Sequence, residues 1–170
     1  MKNNIIKIIS FMLCLVAVVS FVTACGKKTP SQGHIDKIEF NLVESDDIGI
    51  LKMQTNLPIG TELTVRFVNG ATKCDLTIDA AVEMVGKERY IISQPAKDKD
   101  GKYLADGTYN AFIQTKPAAE QPEKIQQELG TKCESLTGGN VYVDENGRFA
   151  KVLRSFVVEN GKIKENNPSK

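Results

Sequence analysis

A chain of 170 residues with 22 basic and 21 acidic side chains is close to neutral, and without a basic cluster it argues against nucleic acid as a partner. Its 41% apolar content suffices for a packed core and excludes disorder of the whole chain. A single histidine removes histidine-rich metal sites from contention, and the absence of tryptophan weakens a carbohydrate platform of stacked rings.

The first 24 residues have the three-part layout of a secretory signal. Lys2 and Lys7 make the positive start, an almost wholly apolar run follows over 8–22, and Thr23-Ala24-Cys25-Gly26 closes it. A retained membrane helix needs about 20 apolar residues, and this run is only slightly short of that. Val22-Thr23-Ala24-Cys25 resembles the bacterial lipobox: an aliphatic residue, two small ones, then the obligatory cysteine. In that family the cysteine thiol takes a diacylglyceryl group and the signal peptidase cuts just before it. The resemblance therefore implies lipidation at Cys25 and attachment to the extracytoplasmic face of the cell membrane. Two acyl chains give stable anchoring where one is marginal, at about 0.8 kcal/mol per buried methylene. Residues 25–34, with Lys27, Lys28, Pro30 and Gly33, read as a polar tether.

Cleavage leaves 146 residues, a size that suits one domain, with 20 basic and 21 acidic side chains. Of four cysteines, Cys14 leaves with the signal and Cys25 is the lipid site. Cys74 and Cys133 remain, an even pair in a compartment where disulfides persist. The expectation is a bridge worth roughly 4 kcal/mol by loop entropy; the alternative is two separate thiols.

Period-two alternation dominates the rest. It marks strands over 38–42, 51–57, 63–67, 76–84 and 89–93, then at Tyr109-Ala111-Ile113, at 141–143 and over 152–159. Between the last two, Asn146-Gly147 reads as a type I′ hairpin turn. One segment breaks the pattern. Gln121-Pro122 through Leu129-Gly130 has proline near a helix start, glycine after its end, and Ile125 and Leu129 four apart on one face. A short helix is predicted near 121–129, across a sheet edge or sandwich end. Seven or eight short strands with turns between them predict an antiparallel β-sandwich over 35–165, and a polar tail over 166–170.

Leu104-Ala105-Asp106-Gly107-Thr108-Tyr109 resembles the turn into strand F of immunoglobulin-like and fibronectin-III-like domains, where a tyrosine hydroxyl bonds back across the corner. Residues 55–65, with Leu57-Pro58 and Gly60-Thr61, are similar to a turn of bacterial surface domains of that architecture. The likeness extends over most of 35–160. It implies an immunoglobulin-like sandwich with structural roles for Asp106, Gly107 and Tyr109, and it says little of activity.

No catalytic residue is assigned. His34 lies beside the tether, a poor place for a nucleophile's base. Asp98-Lys99-Asp100-Gly101 has the flavour of a calcium loop, but the fifth and twelfth positions hold Lys102 and Tyr109, so the match fails. Glu44-Ser45-Asp46-Asp47 reads as a solvated charge run. No metal or cofactor is expected. The function expected is that of a lipid-anchored, non-catalytic envelope domain with a protein or cell-wall partner. Two alternatives stand beside it. One is a protease-inhibitor module presenting the loop 93–106. The other is a wall glycosidase using two facing carboxyl groups.

Overall fold

The computed structural model describes residue 35 and residues 37–166. The expected signal, Cys25, His34 and residues 167–170 lie outside the described residues. The chain forms β1 (Asn41–Leu42), β2 (Lys52–Gln54), β3 (Glu62–Asn69), β4 (Cys74–Val85), β5 (Glu88–Ser93) and β6 (Gly107–Thr115). A 3₁₀ turn (Ala118–Glu120) and α1 (Glu123–Leu129) follow, then β7 (Val141–Asp144), β8 (Gly147–Glu159) and β9 (Lys162–Glu165).

Every strand pairing is antiparallel, in the order β1-β2-β5-β4-β3-β6-β8-β7, with β9 also on β8. The path folds on itself at β4. Residues 74–81 of that strand pair with β3, whereas residues 80–85 pair with β5. Ala80 and Ala81 pair on both sides, and their small side chains stand where the strand passes between layers. One layer is thus β1-β2-β5 and the second half of β4; the other is the first half of β4 with β3, β6 and β8. This is the strand arrangement of immunoglobulin-like sandwiches, with the fourth strand switching sheets. A single buried cluster draws Ile38, Phe40, Leu51, Met53 and Ile91 from the first layer and Leu63, Val65, Phe67, Ala111, Ile113 and Phe156 from the second. The alternation of the sequence is the cause: in each strand alternate side chains face inward.

α1 lies at the end of the sandwich where β3 begins. Gln121, just before it, is buried and accepts the Glu62 N–H at 2.9 Å while donating to the Glu62 and Lys116 carbonyls at 2.8 and 3.0 Å. Ile125 and Leu129, the two residues of the predicted face, are both buried. Ile35 bridges to Leu136 at this same end, so the described chain enters the sandwich beside the helix. The opposite end gathers the 69–74 turn, Gly49 and the β8–β9 hairpin. There the Gly49 N–H donates to the Gly161 carbonyl at 2.7 Å.

Two sequence expectations change. The β7–β8 hairpin closes at Asp144 and Gly147, but Glu145 and Asn146 keep negative φ, so the turn is not type I′. The Asp144 carboxylate accepts the Asn146 N–H at 2.8 Å, and Gly147 takes the positive φ of 119°. The true Asn-Gly turn joins β8 to an unforeseen ninth strand, with φ of 52° at Asn160 and 74° at Gly161. The expected Cys74–Cys133 bridge is also corrected, for both thiols are free. Cys74 pairs with Asn69 at one end of β3. Cys133 follows α1 at the other, where Arg148 N–H donates to the neighbouring Lys132 carbonyl. The eight residues of β3 intervene, roughly 24 Å over seven steps of about 3.4 Å, and a disulfide needs Cα atoms within about 7 Å.

Candidate functional site

On the solvent side of the second layer, the odd-numbered residues of β8 and their partners build an apolar surface. Phe112 of β6 stands directly across from Leu153 of β8, and Tyr142 of β7 directly across from Phe149. The Tyr142 and Phe149 rings stack at 5.8 Å with planes 24° apart. Lys151 lies between Phe149 and Leu153 in sequence and holds its ammonium 5.5 Å from the Phe112 ring centre, within cation–π range. Tyr142 and Leu153 are each half exposed, at 50% and 51%. These side chains, with Asn140 and Arg154, line an open groove of about 370 Å³.

The groove runs into a break in the sheet. The Lys151 N–H donates to the Asn140 carbonyl at 2.8 Å, and the Ser155 carbonyl accepts from the Asn166 N–H at 3.2 Å. Both bonds lie on the side of β8 away from β6, so alternation directs the Leu153 N–H and C=O to that side as well. Among the described residues no strand stands opposite Leu153, because β7 covers β8 only over 147–150 and β9 only over 156–159. Its carbonyl has one neighbour there, the Arg154 guanidinium at 3.3 Å.

Charge around the groove is one-sided. Two other cations of this layer are matched: Arg66 to Asp75, with Nε to Oδ1 at 2.7 Å, and Lys116 to both Glu62 and Asp79 at 3.0 and 3.1 Å. Hydrogen bonds to Glu62 and then Asp79 raise the Lys116 pKa. Those to Arg66 hold Asp75 below the ordinary carboxylate range. Among the described residues, Lys151 and Arg154 join no ion pair.

The residues singled out in the sequence lie apart from this groove. The Tyr109 ring is buried, edge-on to Phe67 at 6.5 Å, and its hydroxyl donates to the Ala105 carbonyl at 2.9 Å. Burial pushes its phenol pKa upward. Gly107 turns the corner at a φ of 151°. Asp106 is exposed. Asn69 ties this corner to the β3–β4 turn, donating from Nδ2 to the Thr108 carbonyl at 2.8 Å and accepting the Ala71 and Thr72 N–H groups.

The 93–106 loop is pinned at its base. Ala96 and Leu104 are buried, Lys97 bridges Tyr103, and Ser93 Oγ accepts the Leu51 N–H at 2.9 Å. At its tip the Asp98 carboxylate accepts the Asp100 and Lys102 N–H groups, each at 2.9 Å, so it serves the turn. Asp46 of the acidic run is paired with Lys162 at 2.8 Å. Among the described residues, no group of three His, Cys, Asp or Glu side chains is placed to hold a metal. Glu62 and Asp79 share one cation, Lys116, which sits between them. No family model, curated protein or solved structure matches the chain.

The sequence missed the groove for a definable reason. Reading the last long strand from residue 152 left Phe149 and Lys151 in a loop, whereas β8 begins at Gly147. The signal was present as Phe149-Lys151-Leu153, a period-two set directly after the hairpin.

Proposed function

We propose that this chain is an exported lipoprotein, anchored through Cys25, whose sandwich is a non-catalytic binding domain at the cell envelope. The groove between β6, β7 and β8 is its binding face. What carries this reading is the coincidence, on one face, of three aromatic rings, an open volume and two cations without ion partners. Such a mixture of apolar body and polar handles is what binding surfaces use. The anchor rests on Val22-Thr23-Ala24-Cys25, and the ten residues 25–34 span at most about 35 Å when extended.

The two halves are tested separately. Cys25→Ala is expected to leave the protein unprocessed or released from membranes, and fractionation at mature mass with membranes would overturn the anchor. For the binding face, a photo-crosslinking amino acid at position 142 is compared with one at exposed Tyr103, at the other end of the sandwich. Adducts to envelope components at 142 and not at 103 are expected; equal yields would overturn the assignment.

A further inference from the structure

Resting on that reading of the groove, we propose that its ligand is an extended peptide in which acidic and apolar residues alternate. Such a peptide would lie along β8 at the break between β7 and β9. Three features of the site select this chemistry. The Leu153 N–H points into the break with no strand opposite among the described residues, and the Leu153 C=O beside it accepts only the Arg154 guanidinium, at 3.3 Å. An extended backbone supplies an acceptor for the first and a further donor for the second, as in strand addition to a sheet edge. The residues on either side of that backbone differ by face. Leu153 and Phe149 lie on the outer face with Phe112, so the peptide residues on that face are apolar. Arg154 has the opposite parity and emerges at the edge, exposed and without an ion partner, so the residues on that side carry carboxylates. Lys151, on the outer face beside the Phe112 ring, adds a second cation to the groove. An anionic membrane surface fits less well, since Asp144 and Glu145 sit exposed at the tip of the adjoining hairpin. A sugar ring would use the aromatic faces and leave the Leu153 N–H unanswered.

The test is fluorescence anisotropy with the full chain in a nonionic detergent. The probe is a fluorescein-labelled, amidated seven-residue peptide of alternating Glu and Val. Saturable binding is expected, weakened at least tenfold by Arg154→Glu and several-fold by Lys151→Glu. Both substitutions fall on partly or fully exposed side chains, so folding is preserved. N-methylation of the central peptide residue is expected to cost a further tenfold by removing the backbone donor. Absence of binding at millimolar peptide would overturn the proposal. So would indifference to charge reversal, or equal affinity for a peptide with Lys in place of Glu. Binding to phosphatidylglycerol vesicles or to wall glycan fragments, lost with Arg154→Glu while the peptide fails, would assign the groove to those ligands instead. A tenfold rise in peptide affinity on deleting residues 167–170 would make the chain's own tail the occupant and likewise overturn it. Crosslinking at position 142 with no peptide response would reject the peptide and leave the binding face standing.

Discussion

The Tyr109 corner and the β8 groove are both built from aromatic side chains on the same layer, yet they treat their polar groups in opposite ways. At the corner everything is answered: the ring is buried, the hydroxyl has its carbonyl, and Asn69 uses both ends of its amide. At the groove Tyr142 and Leu153 are half exposed, the Leu153 N–H faces an open break, and among the described residues two cations lack ion partners. Unanswered groups that stay in contact with water cost the fold little and leave something for a ligand to satisfy. The corner is thus where substitution should be read in stability, and the groove where it should be read in binding.

The largest effect expected is at the corner. Tyr109→Ala removes a fully buried ring and leaves a cavity, costing about 3–5 kcal/mol in a denaturant melt. That is a large part of the roughly 5–15 kcal/mol a single domain possesses. A change within 0.5 kcal/mol would show that the corner is not part of the stabilising core. Next comes the one rigid point beside the groove. A Cβ on Gly147 would lie 2.5 Å from the Lys132 carbonyl oxygen, at a φ of 119°. Gly147→Ala is expected to cost on the order of 2–3 kcal/mol through backbone strain and displacement of the 130–135 loop. Tyr109→Phe should cost about 1–3 kcal/mol, because it removes a donor from a carbonyl and keeps the packing. Tyr142→Ala, by contrast, is expected to change stability by no more than about 0.5 kcal/mol while lowering groove occupancy. A loss of stability comparable to Tyr109→Phe would erase the distinction between the two regions.

The cysteines give a comparison by pH. Cys133 is 2% exposed, and burial pushes its thiol up to about 11 from 9.0. Cys74 is partly exposed and is also raised, chiefly by burial. In the unfolded chain Cys133 ionises near pH 9 and in the folded chain it does not, so the folded state retains more protons. Stability from this group is therefore fully present below pH 9 and falls as pH rises toward 11. Alkaline melts of Cys133→Ala should lack that component. In native protein, iodoacetamide followed by mass spectrometry should label Cys74 before Cys133; the reverse order would contradict this burial.

What was legible in the sequence follows from the range of the signals. Alternation fixes which side chains face inward, so Val65, Phe67, Ala111 and Ile113 were readable as core without knowing their partners. The helix was readable because Pro122, Gly130 and the Ile125–Leu129 spacing are all local. Pairing and position are not local. Cys74 and Cys133 looked like natural partners only until β3 placed them at opposite ends of the sandwich. The Asn-Gly pairs at 146–147 and 160–161 are identical in composition. At 145–146 the Asp144 side chain supports a turn with negative φ, with Gly147 taking the unusual conformation; at 160–161 the dipeptide itself takes both positive φ values. The groove demands still more, since it depends on where β7 and β9 stop along β8.

The passage of β4 from one layer to the other has a consequence for how the domain comes apart. Residues 74–81 and 80–85 overlap at two alanines, so neither layer can be lifted away without peeling the strand that belongs to both. Pairings such as β2 with β5, or β3 with β6, join segments about 40 residues apart, and such long-range contacts make folding slow, on the order of milliseconds to seconds. The sandwich is then a single cooperative unit rather than two sheets in contact. Proteases acting on it at mild denaturant should leave either intact domain or small fragments, with no surviving half.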